Sequence, residues 1–265
     1  MNKFAFRSYG VNIRVDCPND ELFDTAVEVV RRTLLGRLEV ISEADTEHVF
    51  TLEKVKERYF MTLNGDDLGD GEIEWVFFKY FDTRVRLLVA EYAVGYVFMH
   101  AGVVGWRGKA IVFPGDSYSG KTTLVAEFVK RGALYYSDEY AVIDTNGLIH
   151  AFPRKLSIRD KTGIQRKSDM AVELLGGKIG VDALHPSLVL LTRFRPWARW
   201  NPILLTSGVG VMKMMPQAIP LRINSKFTLS VLNNVAENAI IAESLRSNSK
   251  NCVNKIIDFV DKFEN

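Results

Sequence analysis

Cysteine and net charge are both scarce in this chain of 265 residues. The only two cysteines, Cys17 and Cys252, lie far apart and fit neither a disulfide framework nor the spacing of metal ligands. Lysine and arginine total 34 against 32 aspartates and glutamates, so the formal net charge is +2. A balance this close to neutral gives no overall reason to expect binding to nucleic acid or to an anionic membrane, and we expect neither.

Long apolar runs are also missing. The most apolar stretch, VRLLVAEYAVGYVFM at residues 85–99, contains Arg86 and Glu91. It is shorter than the roughly 20 residues that a membrane-spanning helix needs. The first residues, MNKFAFRSYGVNIRV, lack the apolar core of a signal peptide. Together with the low cysteine content, these absences predict a cytoplasmic protein.

The remaining composition is that of an ordinary globular protein. Hydrophobic residues make up 47% of the chain and charged residues 25%, with 19 glycines and 8 prolines. This balance excludes disordered and collagen-like classes. The length suits one large domain or two small ones.

The first part of the chain predicts a small α+β unit. FAFRSYGVNIRV has the composition of a strand, and DELFDTAVEVVRRTLL has helical spacing with Asn19 or Asp20 as its cap. VFTLEKV and RYFMTLNG predict two further strands. Residues 65–72, GDDLGDGE, are the most loop-like stretch because glycine and aspartate favour turns. We therefore predict an N-terminal unit at residues 1–75 and a larger domain at residues 76–265.

The larger domain alternates between predicted helices and strands. FFKYFDTRVRLLVAEYAVGYVF predicts a long buried helix, and HAGVVGWRGKAIVFPG predicts two short strands. LVAEFVKRG then has helical spacing, ALYYSDEYAVID with LIHAFP predicts a strand pair, and LVLLTRF predicts a buried strand. Two helical patterns end the chain, and an apolar stripe on the last could pair subunits in a homo-oligomer. This order is typical of the α/β class.

One motif carries clear chemistry. Residues 115–122, GDSYSGKT, match G-x-x-x-x-G-K-[ST] at every fixed position, between an apolar strand and an amphipathic helix. Phosphate oxygens need several N–H donors in one hollow, which a glycine-bounded loop at a helix N-terminus supplies. Lys121 would reach the β- and γ-phosphates, and the Thr122 hydroxyl would bind Mg²⁺. The alternative is a plain glycine-rich turn. The predicted phosphate-binding residues are Gly115, Asp116, Ser117, Tyr118, Ser119, Gly120, Lys121, Thr122 and Thr123.

A phosphate-binding loop also needs an acid to hold Mg²⁺ or to accept a proton. Asp138 and Glu139 follow the apolar run ALYYS, 17 and 18 residues after Lys121. A carboxylate at the tip of a buried strand is fixed in place, at the sheet edge where the neighbouring loop leaves. The alternative is a turn aspartate beside a solvated glutamate. We predict Asp138 as the metal-binding acid.

Other polar groups are less specific. His100 precedes the strand pair that leads to the loop, and an isolated histidine is more often structural than catalytic. FPRKLSIR carries Arg154, Lys155 and Arg159, which form either a solvated surface or cations that neutralise a transferring phosphoryl group. No N-K-x-D signature of a guanine-nucleotide site is present.

At this level of detail the chain resembles a known family. The string HAGVV…AIVFPGDSYSGKTTLVAEFVKRGALYYSDEYAVID resembles the kinase core of the HPr kinase/phosphorylase family and its shorter relatives. These proteins share a fold with the phosphoenolpyruvate carboxykinases. The resemblance covers about residues 98–160, with a looser match to the end. The family pattern is matched in order by His100, the loop at residues 115–122, Lys130-Arg131-Gly132 and the pair Asp138-Glu139.

The resemblance implies an ATP-dependent kinase built on a mixed, strand-rich nucleotide-binding core. An acid of the pair would be the catalytic base with the histidine nearby, so the implied catalytic residues are Asp138, Glu139, His100 and Arg159. The family usually has aspartate where this chain has Glu139, which leaves the division of roles within the pair open. The Glu-Ile-Arg-Gly-Leu-Gly type of signature is missing between Arg154 and Trp200. The phosphorylase activity and the HPr carrier protein as substrate are therefore not expected.

Three functions remain to be separated. The first is a kinase that uses ATP and Mg²⁺ to phosphorylate a hydroxyl on a peptide, a protein or a small molecule. The second is an ATP-binding switch without a phosphoryl acceptor. The third, a carboxykinase-like enzyme, is disfavoured because this chain is much shorter than those enzymes. The sequence does not identify the acceptor.

Overall fold

The computed structural model describes residues 1–116, 119–159 and 167–264. The chain divides into two compact units, Met1–Gly95 and Tyr96–Asn265. Each is a mixed α/β unit with its own mixed sheet. Among the described residues, no helix has both the length and the apolar composition needed to cross a membrane.

The first unit contains six strands and two helices. In chain order they are β1 (Asn2–Ser8), β2 (Val11–Cys17), α1 (Asp20–Thr33), β3 (Glu39–Val40), β4 (His48–Val55), β5 (Arg58–Leu63), β6 (Asp66–Gly71) and α2 (Glu74–Tyr92). The sheet order is β3-β1-β2-β4-β5-β6. Of the two predicted caps, Asn19 is the one that caps α1, because its Oδ1 accepts the backbone N–H of Leu22 at 2.9 Å.

Two predictions for this unit were wrong. The stretch at residues 65–72 forms β6 rather than a loop, because antiparallel pairing with β5 outweighs the local turn preference of glycine and aspartate. The unit also ends at Gly95 instead of residue 75, since α2 belongs to it. Phe81 of α2 packs edge-on against Phe50 of β4, with 5.4 Å between ring centroids. The helix thereby covers the sheet of the first unit.

The second unit contains the remaining elements. In chain order they are β7 (Tyr96–Trp106), β8 (Lys109–Pro114), α3 (Lys121–Val129), β9 (Leu134–Ser137), β10 (Tyr140–Asp144), β11 (Ile149–His150), β12 (Leu156–Arg159), β13 (Lys167–Met170), β14 (Pro186–Phe194), β15 (Ile203–Leu204), α4 (Ser207–Met214), α5 (Ser225–Asn238), β16 (Ile240–Arg246) and α6 (Ser249–Glu264). The strands predicted around residue 112, at ALYYS and at LVLLTRF are all present.

The main sheet of this unit is mixed, with the order β11-β10-β7-β8-β14-β16-β15 and β9 paired to β7. The central strands β8, β14 and β16 are parallel, whereas β7 is antiparallel to β8. Apolar side chains on one face pack with α4 and α5, and those on the other face pack with α3 and α6. Because helices cover both faces of the sheet, side chains on both faces of β8 are buried, and its sequence is a continuous apolar run.

The structure differs in three respects from what the sequence predicts for residues 76–265. The helix predicted to reach residue 98 ends at Tyr92, because Gly95 has a φ of 78° and β7 pairs with β10 from Tyr96 onward. A strand, β16, separates the last two long helices and pairs in parallel with β14. Three residues of the apolar stripe of α6, Val253, Ile256 and Val260, are buried in the unit's own core, whereas Phe263 of the same stripe is exposed.

Candidate functional site

The glycine-bounded loop (residues 115–122) leaves the end of β8 and leads into α3, the arrangement that the sequence predicts. Its backbone is tied down where it begins, because the N–H of Gly115 donates to the carbonyl oxygen of His100 on β7 at 3.2 Å. The Ser119 N–H donates to the Asp116 carbonyl oxygen at 3.2 Å. Ser117 and Tyr118, also predicted to bind phosphate, lie outside the described residues.

The start of α3 presents backbone donors. Gly120 is the residue before the helix, with a φ of 85°, and none of the side chains that the structure describes caps this end. Within the described chain, no acceptor is found for the backbone N–H groups of Lys121, Thr122 and Thr123. Such a helix end carries a partial positive charge and attracts anions.

The side chain of Lys121 folds back over the loop. Its Nζ donates to the carbonyl oxygens of Gly115 at 2.6 Å and Asp116 at 2.8 Å. Burial lowers the pKa of Lys121, and the nearby carboxylates of Asp116 and Asp138 oppose that shift. The hydrogen-bond acceptors of the Lys121 ammonium are therefore two neutral carbonyl oxygens, which a charged oxygen could replace.

Thr122 and Asp138 meet at this end of the helix. The Thr122 hydroxyl donates to Oδ2 of Asp138 at 3.0 Å, although the two residues are 16 positions apart. Asp138 is 9% exposed and follows β9, which runs parallel to β8 because both are antiparallel to β7. The parallel direction explains why its carboxylate reaches the loop at the shared sheet edge.

The second acid of the pair points elsewhere. Oε2 of Glu139 lies 3.6 Å from Nε of Arg154, and the Glu139 carbonyl oxygen accepts the N–H of Ala101 at 3.1 Å. His100 lies directly opposite Tyr140 in the β7–β10 pair, with 5.1 Å between the two rings. The structure thus gathers His100, Glu139 and Arg154 beside the Asp138 side of the loop.

Other predicted cations contribute less to the observed geometry. Arg159 ends β12, and its side chain lies outside the described part of the chain. Lys155 is exposed. Arg154 is half-buried and is the member of the basic group that contacts Glu139.

Sequence reasoning missed three residues that shape the site. Tyr135 donates its hydroxyl proton toward Asp138, Gln217 donates to Oδ1 of Asp116 at 2.9 Å, and Arg246 donates to the loop carbonyls of Ser119 and Gly120. Gln217 and Arg246 are about 100 residues or more from the loop in sequence, and no local pattern marks them. An arginine ending the apolar strand IIAESLR was the one available signal.

A cavity of about 590 Å³ lies at the opposite edge of the sheet, near the turn between β7 and β8. Its lining includes Trp106, Arg131 and Tyr136 but no residue of the glycine-bounded loop. The Arg131 guanidinium is already held by Glu127, Asn254 and the carbonyl oxygen of Lys250. This cavity therefore offers less anion-binding chemistry than the loop does.

The loop site combines two kinds of donor set. Backbone N–H groups and an ammonium suit the oxygens of a polyanion. A hydroxyl and a carboxylate suit a hard cation such as Mg²⁺, which retains several waters and needs few protein ligands. Among the described residues, no group of three or more histidine, cysteine, aspartate or glutamate side chains is arranged to hold a metal.

Comparison with known proteins finds similarity among solved structures only. No protein-family profile and no curated protein matches the chain. Among solved structures, the chain is similar to the HPr(Ser) kinase/phosphatase from Coxiella burnetii, with 16% sequence identity and a TM-score of 0.32. The match covers 63% of this chain and 99% of that one. At this TM-score the likeness carries no weight for the activity, which has to be argued from the site.

Proposed function

We propose that this protein is an ATP-dependent kinase that transfers the γ-phosphoryl group to a hydroxyl. The observation that carries the proposal is the 3.0 Å contact between the Thr122 hydroxyl and the Asp138 carboxylate at the start of α3. It joins a metal-binding hydroxyl to a fixed acid, beside the ammonium of Lys121. A plain glycine-rich turn has no need for a nearly buried carboxylate at that position.

In this proposal the loop binds the phosphates of ATP. The backbone N–H groups at the start of α3 donate to phosphate oxygens, and the helix dipole favours the negative charge. The Lys121 ammonium exchanges the carbonyl oxygens of Gly115 and Asp116 for the β- and γ-phosphates. Phosphate oxygens carry negative charge and so attract the ammonium more strongly than neutral carbonyl oxygens do, which favours this exchange.

Thr122 and Asp138 would hold Mg²⁺ through Oγ1 and Oδ2. When bound, the metal ion neutralises charge on the phosphates and orients them for transfer. The Thr122 hydroxyl must then turn its proton away from Asp138, since its oxygen becomes a ligand. Both side chains already lie at one place, so this rearrangement needs only rotation of the hydroxyl.

Transfer needs a proton acceptor. The acceptor's O–H bond breaks as its oxygen bonds to the γ-phosphorus, the bond from that phosphorus to the β–γ bridging oxygen breaks, and ADP leaves with the electron pair. Asp138 takes the proton in our proposal, with Glu139 as the alternative. Oδ1 of Asp138 lies near the Tyr135 hydroxyl, which stabilises the carboxylate before transfer. Arg154 and Glu139 would position the acceptor next to this acid.

The test is ATP turnover with Mg²⁺ against a panel of serine-containing peptides and small alcohols, with mass spectrometry of each acceptor. One acceptor class should gain one phosphoryl group with the unaltered chain. Lys121→Ala and Asp138→Asn should lose the transfer, whereas Glu139→Gln should retain part of it. Lys130→Ala is the matched control, because Lys130 is an exposed lysine following the same helix and pairs with Glu127.

Two results would contradict the proposal. Unchanged phosphoryl transfer in Lys121→Ala would show that the loop does not hold the phosphates. ATP binding that changes conformation while no acceptor is ever modified would instead support the switch.

A further inference from the structure

Arg246 reaches the glycine-bounded loop from a distant strand. It is the last residue of β16, which lies two strands from β8 in the sheet order β8-β14-β16. Because these strands are parallel, the end of β16 lies at the same sheet edge as the loop. Nη2 of Arg246 donates to the carbonyl oxygens of Ser119 at 3.0 Å and Gly120 at 2.9 Å. Nη1 donates to the Ser249 hydroxyl at 2.8 Å.

This guanidinium is an unusual buried charge. Arg246 is 1% exposed, and its described partners are two carbonyl oxygens and one hydroxyl, with no carboxylate among them. Burial lowers its pKa, although arginine keeps its proton at any ordinary pH. Removing an ion from water without a counter-ion costs free energy. The contacts of the Arg246 guanidinium with the loop are therefore expected to have a role that offsets this cost.

Peptide geometry shows what the contact does. In a trans peptide the carbonyl oxygen and the following N–H point in opposite directions. The Ser119 and Gly120 oxygens face Arg246, so the N–H groups of Gly120 and Lys121 face away from it. The Gly120 oxygen also accepts the N–H of Leu124 at 3.1 Å, the first hydrogen bond of α3. The guanidinium thereby fixes two peptide planes at the end of the loop.

The Arg246 contact also restricts what can replace Gly120. A Cβ on Gly120 would overlap Nη2 of Arg246, so the guanidinium would have to move away from the loop carbonyls. The positive φ of Gly120 disfavours other residues independently.

We propose that Arg246 is a positioning residue for nucleotide binding, which orients the N–H groups of Gly120 and Lys121 toward the phosphates by holding the two preceding carbonyl oxygens. The inference rests on the proposed function, because it takes the loop to be the phosphate site. Ser249 in turn fixes the guanidinium from the start of α6. The loop then has its binding shape before the nucleotide arrives, which reduces the entropic cost of binding.

The experiment measures ATP affinity by titration calorimetry for Arg246→Met, Arg246→Lys and Ser249→Ala, at a temperature where circular dichroism shows each variant folded. Arg246→Met should lose about tenfold or more in affinity. Arg246→Lys should lose less, because an ammonium can hold one of the two carbonyls. Ser249→Ala should lose about threefold.

Ser244→Ala is the matched control for Ser249→Ala. Ser244 lies on β16, is also buried and accepts the N–H of Asn201, and its hydroxyl has no hydrogen bond to Arg246 or to the loop carbonyls among the described contacts. It should lower the unfolding midpoint without changing ATP affinity. If replacement of Arg246 prevents folding, the proposal is decided by comparing the ATP affinities of Ser249→Ala and Ser244→Ala.

The possible outcomes separate the two proposals. ATP affinity within twofold of the unaltered chain in Arg246→Lys and Ser249→Ala would overturn the role of Arg246 alone. ATP binding without phosphoryl transfer by the unaltered chain would overturn the kinase but leave the affinity test of Arg246 intact. Absence of any ATP binding by the unaltered chain would overturn both.

Discussion

The Tyr135 hydroxyl lies 3.1 Å from Oδ1 of Asp138, at the end of β9. The same hydroxyl lies 2.6 Å from the carbonyl oxygen of Arg154. It has one proton and so donates to one of these oxygens at a time. When Asp138 is ionised the proton can serve the carboxylate, and when Asp138 is protonated it can return to Arg154. Burial, then the charge of Asp138, raises the pKa of Tyr135 well above its usual value, so the phenol stays protonated.

Tyr135→Phe should therefore alter the pH dependence of the reaction. Loss of a donor to the carboxylate raises the pKa of Asp138, so the acidic limb of the pH profile of kcat/KM moves to higher pH. The free energy of unfolding should fall by about 1 kcal/mol because the buried hydrogen bonds are lost. Tyr136→Phe is the control, since its hydroxyl donates to the carbonyl oxygen of Asp182 instead. An unmoved acidic limb in Tyr135→Phe would rule out Asp138 as the group that titrates.

Replacement of Thr122 should separate metal binding from packing. Thr122→Val keeps the shape of the side chain but removes the oxygen, so ATP affinity should lose most of its dependence on Mg²⁺. Thr122→Ser keeps the oxygen and should retain that dependence. The measurement is ATP titration with and without Mg²⁺ for the three proteins. Equal dependence on Mg²⁺ in the valine and serine variants would show that Thr122 does not bind the metal.

ATP binding should take up a proton at alkaline pH. Burial lowers the pKa of Lys121 in the free protein, and phosphate oxygens raise it again by stabilising the charged form. Between these two values the free ammonium has lost its proton and the bound one has not, so affinity falls as the pH rises through this window. Calorimetry in two buffers with different ionisation enthalpies measures the uptake. Lys121→Met should abolish it, and uptake that persists in this variant would assign the proton to another group.

Alanine at Gly120 should be more destabilising than alanine at Gly132. Both glycines have a left-handed backbone, with φ of 85° and 91°, which costs an alanine about 1–2 kcal/mol. Only at Gly120 would the new Cβ also meet Arg246, whereas nothing lies within 4 Å at Gly132. Urea unfolding of the two variants measures the difference. Equal losses would mean that the Arg246 contact does not restrict this position.

The two thiols should report separately on the two units. Cys17 is fully buried in the first unit, and burial raises its pKa to about 12. Cys252 is buried in the second unit, and burial raises its pKa as well. Neither should react with a thiol reagent at neutral pH until its own unit opens. Cys252→Ser leaves only the Cys17 thiol, and Cys17→Ser leaves only the Cys252 thiol. The rate of thiol modification in each variant, measured over a series of urea concentrations, then reports the opening of one unit. Immediate modification of Cys17 in the folded protein would contradict its burial.

Local patterns predicted the elements that lie next to the motif. The apolar run of β8, the glycine-bounded loop and the amphipathic α3 follow one another in sequence, so their relation depends on neighbouring residues only. Asp138 was also predicted at the loop, because β9 is a short buried strand that ends just before it. The loop predicted at β6 was wrong and β16 was not predicted, because the strand conformation of both depends on partners elsewhere in the chain. Hydrogen bonds between strands leave no mark on the periodicity of one strand alone.

By itself the sequence determined the α/β class and the position of a glycine-bounded loop between a strand and a helix, because glycine spacing and apolar periodicity act over a few residues. Only the tertiary structure decided what surrounds that loop. The order of the parallel strands brings the end of β16 to the same edge as the end of β8, so Arg246 lies beside Gly120, although 126 residues separate them. Which side chains meet at a sheet edge is set by strand order, and strand order follows from packing of the whole sheet between its helices.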